Sequence, residues 1–189
     1  MLTKSPTKDT TYPKYLEVYF EKGVPKKIDR KTYKLKNLIN HLNEVGGLFG
    51  VGRMDLVENR LVGIKSREIY EAPAATILYA AHKELESLVL DRELAHFKEI
   101  IALKYSELVY YGLWYSPLKE ALDSFVNSTQ RQVSGSVKLK LFKGSCIPAG
   151  RKSPYSLYKK ELSTYGKGDK FDQNYASGFI KIWGMPYKR

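Results

Sequence analysis

At 189 residues the chain is long enough for one domain with a substantial core and too short for two catalytic domains. Its composition, 43% hydrophobic and 28% charged, excludes wholesale disorder, a collagen repeat and a disulfide scaffold, and the lone Cys146 cannot form an internal bridge. A net charge of +12 raises nucleic acid or anionic small molecules as partners, so the distribution of that charge matters more than its sum. The densest block runs from Pro25 to Lys36, where Lys26, Lys27, Arg30, Lys31, Lys34 and Lys36 face one acid, Asp29. Elsewhere lysines alternate with leucines, as in Lys138-Leu139-Lys140-Leu141, the pattern of a strand with one wet side. No apolar run approaches the roughly 20 residues that span a bilayer, and the first residues lack the apolar stretch of an export signal. A cytoplasmic protein is expected.

In chain order, residues 1–14 hold Thr, Lys, Ser and Pro with almost no apolar content and read as an extended lead-in or interdomain connector. The folded domain, 15–189, opens on Tyr15–Glu21, where Leu16, Val18 and Phe20 share one face and Glu17, Tyr19 and Glu21 the other. Lys22 and Gly23 turn that strand into a return strand, which Pro25 confines to an edge or a bulge. A short helix carrying Leu38, Ile39, Leu42 and Val45 follows, with Gly46 and Gly47 as its stop. From Pro73, the spacing of Ile77, Leu78, Ala81, Leu85 and Leu88 predicts an amphipathic helix. Asp91 caps the next one, with Leu94, Phe97, Ile101, Tyr105 and Leu108 as its buried stripe and Gly112 beyond its end. Ser116 and Pro117 start a third helix. The hairpin grammar then returns: Val137–Phe142 alternates, Lys143 and Gly144 turn, and Ser145–Ala149 comes back with Pro148 at a similar offset. Ser153 and Pro154 predict a short helix through Leu157, Tyr158 and Leu162 that Gly166 ends, and Gly178–Trp183 reads as a final strand. The fold class is therefore α+β: an antiparallel sheet built from hairpins at both ends of the chain, packed with a central group of helices.

The glycines of 46–52 fit neither a P-loop nor a dinucleotide fingerprint, because they follow a helix and precede Arg53, Met54 and Asp55. Helix termination and a turn explain them better. His41, His82 and His96 are too scattered for a metal site, and Cys146 offers no second thiolate. No metal is expected, and no residue is marked as catalytic. Residues 53–71 differ from the rest: Arg53, Arg60, Lys65 and Arg67 alternate irregularly with Asp55, Glu58, Glu68 and Glu71 among apolar residues. Burying such a segment requires pairing its charges. It reads as a salt-bridged structural loop or as a polar pocket for a zwitterion, with Glu58 for an ammonium and Tyr70 as hydroxyl donor and acceptor.

The run GRMDLVENRLVGIKSREIYEAPAATIL (Gly52 to Leu78) resembles the C-terminal portion of the argininosuccinate synthase family. KYSELVYYGLWYSP (Lys104 to Pro117), GRKSPYSLY (Gly150 to Tyr158) and ASGFIKIWG (Ala176 to Gly184) are similar to further stretches, in the family's order. The resemblance implies a ligase that condenses citrulline with aspartate and cleaves ATP to AMP and pyrophosphate. In it the citrulline ureido oxygen attacks the α-phosphorus, and the aspartate amine then displaces AMP. It implies that Glu58 and Tyr70 belong to the citrulline site as positioning groups. Glu68 stands where several family members carry glycine. The family's Ser-Gly-Gly-x-Asp pyrophosphate loop is not found in these residues, so the N-terminal nucleotide-binding half, with most contacts to ATP, its magnesium and aspartate, is expected to be missing. On that reading the chain is the C-terminal synthetase and oligomerisation domain, inactive and without ATP by itself. The family is tetrameric, and Tyr110, Tyr111, Trp114 and Trp183 fit a contact surface. The alternative is a basic nucleic-acid-binding module using Lys26 to Lys36 with Tyr33 as a stacking platform.

Overall fold

The computed structural model describes residues 2–5, 11–163 and 170–188. They divide into two compact units, one ending at Leu157 and one beginning at Tyr158. The first unit is organised by strand β1 (Lys14–Glu21), whose alternation buries Leu16, Val18 and Phe20. On one side β1 pairs antiparallel with β2 (Val24–Ile28), and on the other with β6 (Gly135–Phe142), in a register that sets Val18 opposite Val137 and Leu16 opposite Leu139. The two-residue β3 (Lys31–Thr32) and β7 (Ser145–Lys152) complete a sheet ordered β3-β2-β1-β6-β7. The two hairpins foreseen at opposite ends of this unit thus share one sheet.

Both hairpins turn through a Lys-Gly pair with positive φ at each residue, Lys22–Gly23 and Lys143–Gly144, the backbone twist that two-residue hairpins favour. Each has a register break opposite its proline: β1 jumps from pairing Lys27 to pairing Pro25 between Tyr19 and Phe20, and β6 from Gly150 to Pro148 between Lys138 and Leu139. A proline cannot donate to the ladder, so a bulge accommodates it.

Helices α1 (Leu35–Leu48) and α2 (Pro73–Val89) cover one face of the sheet. Leu38, Leu42, Ile77, Ala81 and Leu85 from the helices join Val18, Val137, Leu139 and Leu141 from the strands in one fully buried cluster. Gly46 and Gly47 do not stop α1; they lie in its last turn. A Cβ on Gly46 would stand 2.8 Å from Pro73 Cβ and 2.9 Å from Ile77 Cδ1, so the glycine lets α1 and α2 approach closely. The chain turns only at Gly50 and Gly52, both at positive φ.

After α2, Asp91 caps α3 (Arg92–Tyr110) by accepting Leu94 N–H at 3.0 Å, and Ser116 caps α4 (Pro117–Thr129) by accepting Lys119 N–H at 3.3 Å. The foreseen stripe of α3 is largely uncovered. Only Leu108 is buried and Phe97 is 51% exposed, because α3 packs mainly along α4, where Phe97 meets Phe125 edge-on at 5.5 Å.

Three further expectations are corrected. Residues 53–71 form an antiparallel hairpin, β4 (Arg53–Asn59) with β5 (Lys65–Glu71), as a separate two-stranded sheet. Ser153 does not cap a helix. Its hydroxyl accepts Tyr155 N–H and donates to Ser134 O, turning the chain out of β7, while the helix α5 is only Lys160–Ser163; Gly166, its foreseen stop, lies outside the described residues. Gly178–Trp183 is not a strand but the second half of helix α6 (Asn174–Trp183). A short apolar run does not by its period distinguish strand from helix, and Tyr175, Phe179 and Ile182 recur at helical spacing. Of the lead-in 1–14, residues 6–10 are outside the description, yet Thr3 is 4% exposed and Lys14 already belongs to β1.

Candidate functional site

The β4–β5 hairpin is held by charge rather than by a core. Arg67 grips Asp55 with two bonds, Nε to Oδ1 at 2.8 Å and Nη2 to Oδ2 at 2.5 Å, and Arg60 reaches Glu68 at 3.0 Å. The guanidinium holds the Asp55 carboxyl below its ordinary range, and the same bond raises Arg67. At the tip, Arg60 N–H donates to Ile64 O, Gly63 turns at φ +84°, and Lys65 Nζ donates to Asn59 Oδ1 at 2.8 Å.

Within this hairpin the structure brings Glu58 and Tyr70 together. Their strand positions are not directly opposite: Glu58 pairs with Ser66 and Tyr70 with Met54, on one face of the ribbon. The long side chains close the gap, and the Tyr70 hydroxyl donates to Glu58 Oε1 at 3.0 Å. That bond, foremost, pushes the Tyr70 phenol above its ordinary value, and burial and the charges of Glu58 and Glu68 add to the shift. Tyr70 remains 41% exposed, so the pair presents a carboxylate and a phenol oxygen to whatever lies above the hairpin. Such a pair suits an ammonium group.

Residues not singled out from sequence fix this ribbon at its root. Leu2 N–H and Thr3 N–H both donate to Glu71, at 2.5 and 3.2 Å, and the Thr3 hydroxyl donates to Glu71 Oε1. Arg53 in turn donates to Thr3 Oγ1 and, at 2.8 Å, to Thr3 O. Glu71 is the strand neighbour of Tyr70 and the register partner of Arg53, so Leu2 and Thr3 are tied to the end of the ribbon that carries the phenol. These bonds, led by the Thr3 hydroxyl, hold the Glu71 carboxyl down to about 2. The Thr3 signal was unreadable in sequence, because nothing in a Lys-Ser-Pro-Thr context marks a residue for burial. From α3, Tyr110 OH donates to Asn59 O at 3.2 Å and supports the tip.

The other sequence candidates serve structure. Gly47 approaches Leu2 O, and Gly52 receives Ala72 N–H at its carbonyl while a Cβ there would stand 2.6 Å from Pro73 N. These glycines are filled by packing and do not cradle a phosphate, so the residues present do not fit an ATP loop. His41 stacks on Tyr33 at 5.4 Å, and His82 meets Gln130 at 2.8 Å. Among the described residues no group of three His, Cys, Asp or Glu side chains is placed to hold a metal ion. The stacking platform that a nucleic-acid module would need, Tyr33, is engaged by His41 and by Lys31, 5.2 Å from its centroid. Burial pushes the Cys146 thiol up to about 11, away from nucleophilic chemistry. No helix among the described residues is long and apolar enough to cross a membrane.

The family model described as the argininosuccinate synthase C-terminal domain matches residues 1–189. Among curated proteins, the argininosuccinate synthase of Bacillus pumilus is 59% identical over 182 residues, 96% of this chain and 45% of that protein. That of Caldanaerobacter subterraneus is 56% identical over 97% of this chain and 45% of its own length, and one from a Synechococcus strain is 54% identical over 98% and 46%. The chain spans about half the length of the curated relatives it matches.

Proposed function

The chain belongs to the argininosuccinate synthase C-terminal domain family, and from that premise we propose that it supplies the part of a citrulline site that holds the substrate's amino-acid head. Glu58 takes the α-ammonium, and Tyr70 adds a second polar contact that fixes its orientation. The reaction is the ligation of citrulline and aspartate with ATP cleaved to AMP and pyrophosphate. Neither Glu58 nor Tyr70 acts as acid or base on the reacting atoms; both are substrate-binding groups. ATP, its magnesium and most of the aspartate contacts are assigned to a nucleotide-binding half outside these residues, so this chain alone is expected to be inactive. Residues 1–14 then serve as the interdomain connector and 15–189 as the synthetase and oligomerisation domain of a cytoplasmic homo-oligomer.

The observation that carries this reading is the 3.0 Å bond between Tyr70 and Glu58 on an exposed ribbon. The flanking Val57, Leu61, Val62, Ile64 and Ile69 are each more than 60% exposed, which supports a covering partner over the hairpin. Glu58 is already satisfied by one donor, and a substrate ammonium brings up to three more.

The test follows the Tyr70 ring by NMR in tyrosine-labelled chain, assigned with Tyr70→Phe, during titration with citrulline and with urea as a ureido control. A saturable shift of the Tyr70 signal with citrulline, absent with urea and abolished in Glu58→Gln, is expected. A Tyr70 signal equally responsive in Glu58→Gln would contradict the assignment.

A further inference from the structure

The outer face of the five-stranded sheet carries a groove of about 400 Å³, a size typical of small-molecule sites, and it shares no residue with the β4–β5 hairpin. Its floor is a row in register across four strands: Lys27 on β2, Tyr19 on β1, Ser136 on β6 and Lys152 on β7. The bulge that Pro25 imposes on β2 leaves Lys26 without a partner residue on β1, so that Lys26 and Lys27, adjacent in sequence, both line the groove. Pro154 adds an apolar surface to the lining.

The charges of this groove are unbalanced in one direction. Glu17 lies in the same face, but its carboxylate is capped by hydroxyls: Ser136 Oγ donates at 2.6 Å and Tyr19 OH at 2.8 Å. The Ser136 bond, foremost, holds Glu17 below its ordinary value, and Lys152 and Lys138 contribute only through their charge. Among the described residues, Lys26, Lys27 and Lys152 make no ion pair and Glu21 is the one acid in the lining. Three exposed ammonium groups thus border a cleft with an aromatic and a proline surface.

We propose that this groove binds a small organic phosphate, its apolar body against Tyr19 and Pro154 and its phosphate among Lys26, Lys27 and Lys152. Ammonium groups act as point charges for phosphate, while the ring and the proline favour an ester over the bare ion. The site is independent of Glu58 and Tyr70, and its occupant is distinct from any substrate held there.

The experiment uses the 189-residue chain, phenyl phosphate and inorganic phosphate as probes, and amide chemical shifts as readout. Phenyl phosphate is expected to give saturable shifts centred on Tyr19, Ser136 and Lys152 and to bind more tightly than inorganic phosphate. Lys27→Gln with Lys152→Gln should weaken it about tenfold, whereas Lys34→Gln with Lys36→Gln, an equal loss of charge outside the groove, should change it less than about twofold. All four lysines are exposed, so unchanged thermal midpoints should show that both variants fold. Equal weakening by the two pairs, equal affinity for the two probes, or no saturation would each overturn the proposal.

Discussion

The buried hydroxyl of Thr3 is the residue on which the site's root depends most. It donates to Glu71 and accepts from Arg53, so Thr3→Val leaves a carboxylate and a guanidinium each short of a partner. A loss of about 1 kcal/mol in urea unfolding is expected, with Thr3→Ser close to wild type. The pH dependence has a definite sign. Glu71 titrates lower when folded, about 2, than its ordinary value of 4.5, so its contribution is complete above about pH 4.5 and is lost as pH falls toward 2. The gap between wild type and Thr3→Val should therefore narrow between pH 5 and pH 2; a gap that widened on acidification would contradict this. Cys146 gives a second check. Its thiol, raised to about 11 by burial, should react slowly with a disulfide reagent at pH 8 in the folded chain and fast in denaturant.

At the scale of elements, the close approach of α1 and α2 depends on Gly46. Gly46→Val places carbon where Pro73 and Ile77 already stand and should cost about 1–3 kcal/mol, measured by denaturant titration. Leu139→Ala, in the fully buried cluster, should cost about 2–5 kcal/mol. Elements that rest on this core were legible in sequence, because burying one face imprints a period: Leu16-Val18-Phe20 and Val137-Leu139-Leu141 alternate, and Ile77, Ala81 and Leu85 recur by helical turns. The β4–β5 ribbon was not legible as strands, since neither face packs on the core and Val57 and Ile69 sit exposed among charges. The same cause hid α6, whose residues are all at least partly exposed. Glu58 and Tyr70 stood out as a carboxylate and a phenol in a charged segment, but their meeting required the register that sets Tyr70 opposite Met54, and it is the resemblance rather than the pattern that implies citrulline as their ligand.

For the molecule as a whole, about half the length of its relatives is represented, and many large apolar side chains are exposed. Tyr110, Tyr111 and Trp114 are 41–53% exposed, and Tyr115 is fully exposed. Their segment is not loose: Lys119, 6% exposed, bonds Asp123 at 2.8 Å, lies 4.8 Å from the Tyr105 ring centroid and 5.6 Å from that of Trp114. An exposed group of aromatic side chains of this kind suits an interface. Sedimentation velocity should find species larger than one chain that shift toward monomer in Trp114→Ser with Tyr115→Ser; a strict monomer at all concentrations would argue against self-association. The most direct measurement is steady-state kinetics on a full-length argininosuccinate synthase substituted at the positions aligned with Glu58 and Tyr70. The expected result is a KM for citrulline raised about 10- to 100-fold by Glu→Gln, the loss of one charge-assisted hydrogen bond, with the KM for ATP unchanged. A KM for citrulline that stayed at the wild-type value would contradict the assignment.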